Sequence, residues 1–158
     1  MKPRLSLKGL GLQILAQREN SRSELRRKLL RHARAEAAEE SNPVEQVEAV
    51  LDWLQANRYL CEERFVESRV HARTARFGNL RIRHELAQHG VALGADAAQQ
   101  LKDSELARAR DVWSRKFGQR AVDAAERARQ MRFLAGRGFS SEAIHRVVQG
   151  GGQGVDDD

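Results

Sequence analysis

Residues 58–90 read RYLCEERFVESRVHARTARFGNLRIRHELAQHG, and the second half of this stretch sets the pattern for the chain. From Asn79 the spacing predicts a short helix. Asn79 suits the position that caps a helix start, and Gly90 suits the left-handed turn that ends one. Ile82 and Leu86, four apart, share one face. The same frame stands upstream as Leu25, Leu29 and Ala33, and downstream as Gln130, Leu134 and Gly138, with Phe139 behind it. An arginine precedes each copy, at Arg22, Arg81 and Arg129. Three ordered copies with helical segments between them predict tandem helical units that bury their apolar faces on one another.

The composition agrees. Of 158 residues, 41% are hydrophobic but only 5% aromatic, so the expected core is aliphatic and thin. Charged residues at 32% and two prolines suit exposed helical faces, and the fold class expected is all-α. No apolar run approaches the roughly 18 residues of a membrane span. No leader with a clear apolar region and cleavage site follows the basic start, and the lone Cys61 excludes an internal disulfide framework. A cytoplasmic location is expected.

Outward from the central stretch, caps mark the other helices. Residues 5–18 form a first helix, firm from about Leu10 because Gly9 and Gly11 weaken its opening turn. Ser21 with Glu24 makes a capping box for a second helix, in which Leu25, Leu29 and Leu30 face inward. Asn42-Pro43 with Glu45 starts a third, with Val44, Val47, Val50, Leu51 and Leu54 as its apolar stripe and Trp53 beside it. Leu60 opens a second unit as a staple, followed by Phe65, Val66, Val70 and Phe77 on one face. After the Asn79–His89 helix a weakly apolar one runs from about Ala95 to Leu101. A third unit starts near Ser104 with Leu106, Ala109, Val112, Trp113 and Phe117. A helix over 121–136 follows, then a last one capped by Ser140, with Ile144, Val147 and Val148 inside. The units expected are three three-helix repeats, 1–58, 59–103 and 104–149, with a flexible acidic tail over 150–158.

Nothing in this pattern suggests turnover. Cys61 has no neighbouring histidine to activate it. His32, His71, His84, His89 and His145 form no metal-spaced pair, so no metal or cofactor is expected. Glu62 and Glu63 suit a helix N-terminus better than acid–base work. Binding is the positive reading. The net charge of +6 is unevenly spread: residues 1–35 carry +8, 36–68 carry −7, 69–92 carry +4 and 93–158 carry +1. Basic and acidic blocks let one surface meet a polyanion and another a mixed protein surface. Few aromatics argue against a base-stacking platform.

The run Tyr59-Leu60-x-Glu62-x-Arg64-Phe65, continued by Gly78-x-x-Arg81-Ile82-x-x-Glu85-Leu86-x-x-x-Gly90-Val91, resembles the RecX regulatory proteins. Ser21-Arg22-Ser23-Glu24-Leu25-x-x-Lys28-Leu29 matches that family's first repeat, and Arg132-Phe133-Leu134-x-x-Arg137-Gly138-Phe139-Ser140 its last. The likeness spans about residues 10–149. It departs at Ala33, Arg58 and Arg76, where glycine is common, at Cys61, where Asp, Ser or Asn is common, and at Asn79, where proline is common. The resemblance implies an elongated, curved array of three three-helix repeats. It also implies a non-enzymatic modulator that binds the RecA–DNA filament and inhibits its recombinase, ATPase and co-protease activities. Single- and double-stranded DNA are weaker, salt-sensitive partners, and the protein is expected to be a monomer away from membranes. The residues expected to contact filament or DNA are Arg73, Arg76, Arg81 and Arg83 in the centre, with Arg26, Arg27 and Arg31 upstream. The alternative is a helix-turn-helix DNA-binding regulator acting without RecA.

Overall fold

The computed structural model describes residues 3–150. The expected flexible tail therefore lies outside the described residues, save for Gly150, which caps the last helix. The described residues form eight α-helices and no strand: α1 (Leu7–Gln17), α2 (Arg22–Ala35), α3 (Pro43–Ala56), α4 (Glu62–Arg73), α5 (Asn79–Gln88), α6 (Ala95–Lys116), α7 (Ala124–Gly136) and α8 (Ser141–Gln149). Short polar side chains set most of the starts. Ser6, Ser21, Asn42, Asp123 and Ser140 each accept a hydrogen bond from the backbone N–H three residues on, satisfying a donor the helix cannot use itself.

The chain forms two compact units, residues 1–68 with 88–91 and residues 69–87 with 92–158. In the first, α1, α2 and α3 close on Leu25, Leu29, Val47, Leu51, Leu54 and Leu60. In the second, α6, α7 and α8 close on Ala109, Val112, Leu134, Phe139, Ile144, Val147 and Val148. The repeated frame supplies core in every copy: Leu25, Leu29, Ala33, Ile82, Leu86, Gln130 and Leu134 are all buried. Gly90 and Gly138 take positive φ, 71° and 84°, and end their helices as expected. At Ala33, by contrast, α2 runs on to Ala35.

Four local expectations need correction. The first helix begins at Leu7, not Leu10, because Ser6 caps it. Gly11 is buried where a Cβ would lie 2.8 Å from Leu54 Cδ1, so it lets α1 approach α3 closely. Val44 lies off the apolar stripe and is about half exposed. Asn79 does not cap α5: its own N–H is accepted by Glu105 Oε2 at 2.9 Å, so the cap comes from α6. Finally, the helix expected over 95–101 and the one expected from Ser104 are a single helix, α6. No glycine or proline interrupts residues 95–116, and Ser104 turns its hydroxyl back to the carbonyl of Leu101 instead of capping, as serine does inside helices.

The start of α2 is a buried polar knot. Glu24 does not return to the Ser21 N–H to complete the capping box; its carboxylate pairs with Arg18 and with Lys28. Burial alone would raise that carboxyl, but the two cations outweigh it and hold it below its ordinary value. Farther along, Arg26 and Arg22 hold Glu48, with Arg22 also reaching Asp52 at 2.7 Å. Hydrogen bonds from Arg26 first and Arg22 second draw the Glu48 carboxyl from 4.5 down to about 2. A carboxyl depressed on folding adds stability that is complete above its ordinary value and lost as pH falls toward the folded one. The Glu48→Gln variant is therefore expected to show a shallower loss of urea midpoint than the parent between about pH 4.5 and about pH 2. Because Glu48 and Arg26 are more than a third exposed and Arg22 is 30% exposed, the difference stays within the ~1 kcal/mol of surface pairs. Superimposable acid limbs would show that the cluster adds nothing.

Candidate polyanion-binding site

The second unit gathers cations around Phe77, in the turn between α4 and α5. The guanidinium of Arg81 lies 4.3 Å from the ring centroid, that of Arg137 5.5 Å, and those of Arg73 and Arg76 each 5.9 Å. Arg137 also lies 5.2 Å from the Phe133 ring, and Lys116 5.4 Å from it. Phe133 meets Phe117 edge to face at 5.4 Å. Cations over aromatic faces are held by the ring quadrupole without losing their charge.

The turn is fixed by backbone. The Gly78 N–H donates to the Arg137 carbonyl at 2.8 Å and the Leu80 N–H to the Gly138 carbonyl at 3.0 Å. Arg108, half-buried on α6, donates to the Phe77 carbonyl at 2.9 Å and the Thr74 carbonyl at 3.4 Å. The buried Glu105 takes the Asn79 N–H and the Ser140 hydroxyl. One turn of α6 thus ties down the end of α4, the start of α5 and the start of α8.

Some of these cations already have carboxylate partners. Arg73 forks onto Glu85 at 2.9–3.2 Å, and Arg129 reaches Glu126 at 3.5 Å. Arg76, Arg81, Lys116 and Arg137 make no salt bridge among the described residues. Nor does Arg115, which donates to the carbonyls of Ala75 at 2.8 Å and Asp111 at 3.3 Å. Arg76, Arg115, Lys116, Phe133 and Arg137 line a shallow groove of about 240 Å³ with no acidic residue in it among the described residues. An adjoining depression shares Ala75 and Arg115 and adds Thr74, Arg108, Asp111 and Ser114. Such a groove can take phosphate or carboxylate oxygens without first displacing an internal acid.

Of the residues singled out in the sequence, Arg73, Arg76 and Arg81 converge on Phe77. Arg83 is exposed on α5, outside that ring of cations, and makes no salt bridge among the described residues. In the first unit Arg26 is engaged with Glu48, whereas Arg27 and Arg31 are exposed and make no salt bridge among the described residues. Nothing in the sequence around Arg115 and Lys116 marks them for this site. They close α6, about 40 residues after Arg76, and only the fold brings them to it. Arg137 carried the family likeness but gave no sign of its neighbours.

A second polar cluster has a suggestive composition. Ser21 Oγ lies 2.8 Å from His89 Nδ1, and Glu24 Oε2 lies 3.9 Å from the same nitrogen. A nucleophilic relay needs the carboxylate on the other ring nitrogen, and the buried Ser21 hydroxyl already accepts the Glu24 N–H as a helix cap. With Ser23 donating to the His89 carbonyl at 2.9 Å, this is a clamp that holds residues 88–91 to the start of α2. Among the described residues no group of three His, Cys, Asp or Glu side chains is placed to hold a metal. No helix there is long and apolar enough to cross a membrane.

Fold and site together define an all-helical protein of repeated three-helix units that carries an acid-free basic groove. Family models describing the second and third three-helix domains of RecX match residues 62–93 and 103–148. "Regulatory protein RecX" of Ralstonia nicotianae is 47% identical over 156 residues, 97% of this chain and 92% of the relative. The protein of that name from Leptothrix cholodnii is 50% identical over 150 residues, 94% and 90% of the two chains. The chain belongs to the RecX family. The crystal structure of RecX from Lactobacillus salivarius shares the fold, with a TM-score of 0.68 at 15% identity over 91% of this chain and 93% of that one.

Proposed function

We propose that this chain restrains the RecA recombinase by binding its nucleoprotein filament, lowering ATP hydrolysis, strand exchange and co-protease action without chemistry of its own. It acts as a cytoplasmic monomer, and free single- and double-stranded DNA are its weaker, salt-sensitive ligands. The observation that supports this most is the group of five cations beside Phe77 and Phe133, Arg76, Arg81, Arg115, Lys116 and Arg137, that make no salt bridge among the described residues. Salt-bridged arginines such as Arg26 and Arg73 serve the fold; cations left without acids are the ones able to displace the counterions condensed on a polyanion. Arg83 on the same unit, and Arg27 and Arg31 on the other, likewise make no salt bridge among the described residues and are further candidates for contact with the filament.

The test is RecA-dependent ATP hydrolysis on single-stranded DNA, titrated with this protein. The parent is expected to suppress the rate, and the Arg81→Glu/Arg83→Glu variant to need about tenfold more protein, the equivalent of about 1.4 kcal/mol. Equal inhibition by parent and variant would place the contact elsewhere. Tight, sequence-dependent duplex binding in the absence of RecA would favour the helix-turn-helix reading instead.

A further inference from the structure

We infer that the groove formed by Arg76, Arg115, Lys116 and Arg137 is a seat for the phosphodiester backbone of a single nucleic-acid strand, and that Phe77 and Phe133 are there to position its cations and not to stack bases. The inference rests on the polyanion reading above and names the ligand of that site.

Three observations carry it. First, among the described residues the groove is lined by cations with no acid, while Arg73 beside Phe77 and Arg129 beside Phe117 are already paired with acids. Second, the aromatic faces are taken. Guanidinium groups stand 4.3–5.9 Å from the Phe77 centroid, and Arg137 and Lys116 stand 5.2 and 5.4 Å from that of Phe133. A base that stacks needs an open ring face, so this site contacts the backbone and is indifferent to sequence. Third, the groove is small, about 240 Å³, and its apolar lining is recessed: Val112 is buried and Phe133 half-buried. A duplex presents its phosphates on a broad convex surface, and one strand at a time fits here. An acidic peptide would have little apolar surface on which to anchor, and protein interfaces draw most of their affinity from such anchors. Phosphate oxygens need only the guanidinium forks and the ammonium.

The rings solve a problem the site creates for itself. Like charges gathered without counter-ions repel and splay into solvent, and a ring face offers each an attraction that leaves its charge available. Loss of a ring should therefore weaken binding without changing the number of phosphates neutralised.

The experiment measures anisotropy of a labelled oligothymidine with the full chain, without RecA, over 50–200 mM salt. For single strands the log–log salt slope is about −0.7 per phosphate engaged, so four cations give about −3. Arg115→Gln/Lys116→Gln/Arg137→Gln is expected to reduce the slope by about 2 and weaken binding more than tenfold at the lowest salt. Phe77→Leu is expected to weaken binding about three- to fivefold with the slope unchanged, as a positioning residue should. Arg34→Gln, an exposed arginine outside every proposed contact, is expected to change affinity less than about twofold. A triple variant that binds like the parent overturns the assignment. So does competition by poly-glutamate as effective, charge for charge, as unlabelled oligothymidine, which would make carboxylates the ligand. Should the triple variant melt early, Arg115→Lys/Arg137→Lys, which keeps every charge, must retain the parental slope or the site is wrong. Inhibition of RecA is read separately. Groove-dependent oligothymidine binding by a parent that leaves RecA untouched would sink the filament reading and spare this one.

Discussion

Replacing Gly78 with alanine is expected to cost about 3 kcal/mol or more of stability, read as a lowered urea midpoint at constant slope. A Cβ at this position would sit 2.3 Å from the Phe139 nitrogen and 2.4 Å from the carbonyl carbon and oxygen of Gly138. These are backbone atoms, so no rotamer change relieves the overlap. They are also held in place, because the Gly78 and Leu80 N–H groups donate to the carbonyls of Arg137 and Gly138. Separating the two strands of backbone enough to admit a methyl group strains both bonds, each worth about 1 kcal/mol, besides the overpacking itself. Gly90→Ala is the matching control. Gly90 has φ of 71° but nothing within 4 Å of a built Cβ, so only the left-handed backbone penalty of about 1–2 kcal/mol applies. Equal costs at the two glycines would mean that close approach at residue 78 does not govern the fold.

That contrast shows what the sequence makes legible. Gly90 announces itself: a glycine four residues after Leu86 in a helical frame reads as a helix end, and it is one. So do the caps at Ser21, Asn42 and Ser140, because capping is settled within three residues. Gly78 was visible as part of a family motif, but its reason lies 60 residues away in the Arg137–Gly138 turn, and no periodicity reports that. The errors share this cause. Asn79 looked like a cap because it precedes a helix, yet a carboxylate from α6 had taken the role. Ser104 looks like a start because serine often is one, yet Leu101 and Lys102 before it and Glu105, Leu106 and Ala107 after it are good helix formers, and the helix runs through. The candidate site divides the same way. Sequence finds arginines, but it does not say which of them a carboxylate neutralises. Arg73 and Arg76 are alike in the chain; Glu85 separates them in the fold. Arg115 and Lys116 belong to the site only because the end of α6 reaches the residues around Ala75.

Arg108→Ala is expected to be the most damaging single change to the site among residues that do not line its acid-free groove. Arg108 donates to the carbonyls of Phe77, Thr74 and Leu101 at 2.9, 3.4 and 3.2 Å, and to the Asn79 side-chain oxygen. The carbonyls of Thr74 and Phe77 belong to a helix end and a turn with few other donors, whereas that of Leu101 lies inside α6. Burial draws the guanidinium below its ordinary value and Glu105 only opposes this, so the charge has been placed here against its own preference for water. Truncation leaves the carbonyls to whatever water enters through the depression that Arg108 lines. Each acceptor left unsatisfied costs about 1–3 kcal/mol, and partial hydration brings the expected total to about 2–4 kcal/mol. Lysine should recover less than half, since one ammonium cannot span four acceptors as a planar fork does. The consequence for binding follows from what Arg108 holds. Phe77 sits in the turn it secures, and Arg76, Arg81 and Arg137 take their positions from Phe77. Folded Arg108→Ala protein is therefore expected to bind oligothymidine about as weakly as Phe77→Leu, with the salt slope of the parent, when both are assayed well below their melting temperatures. If Arg108→Ala loses stability yet binds like the parent, the turn is not what positions the cations. The groove would then owe its order to the α7–α8 side, through Arg137 and Phe133 alone.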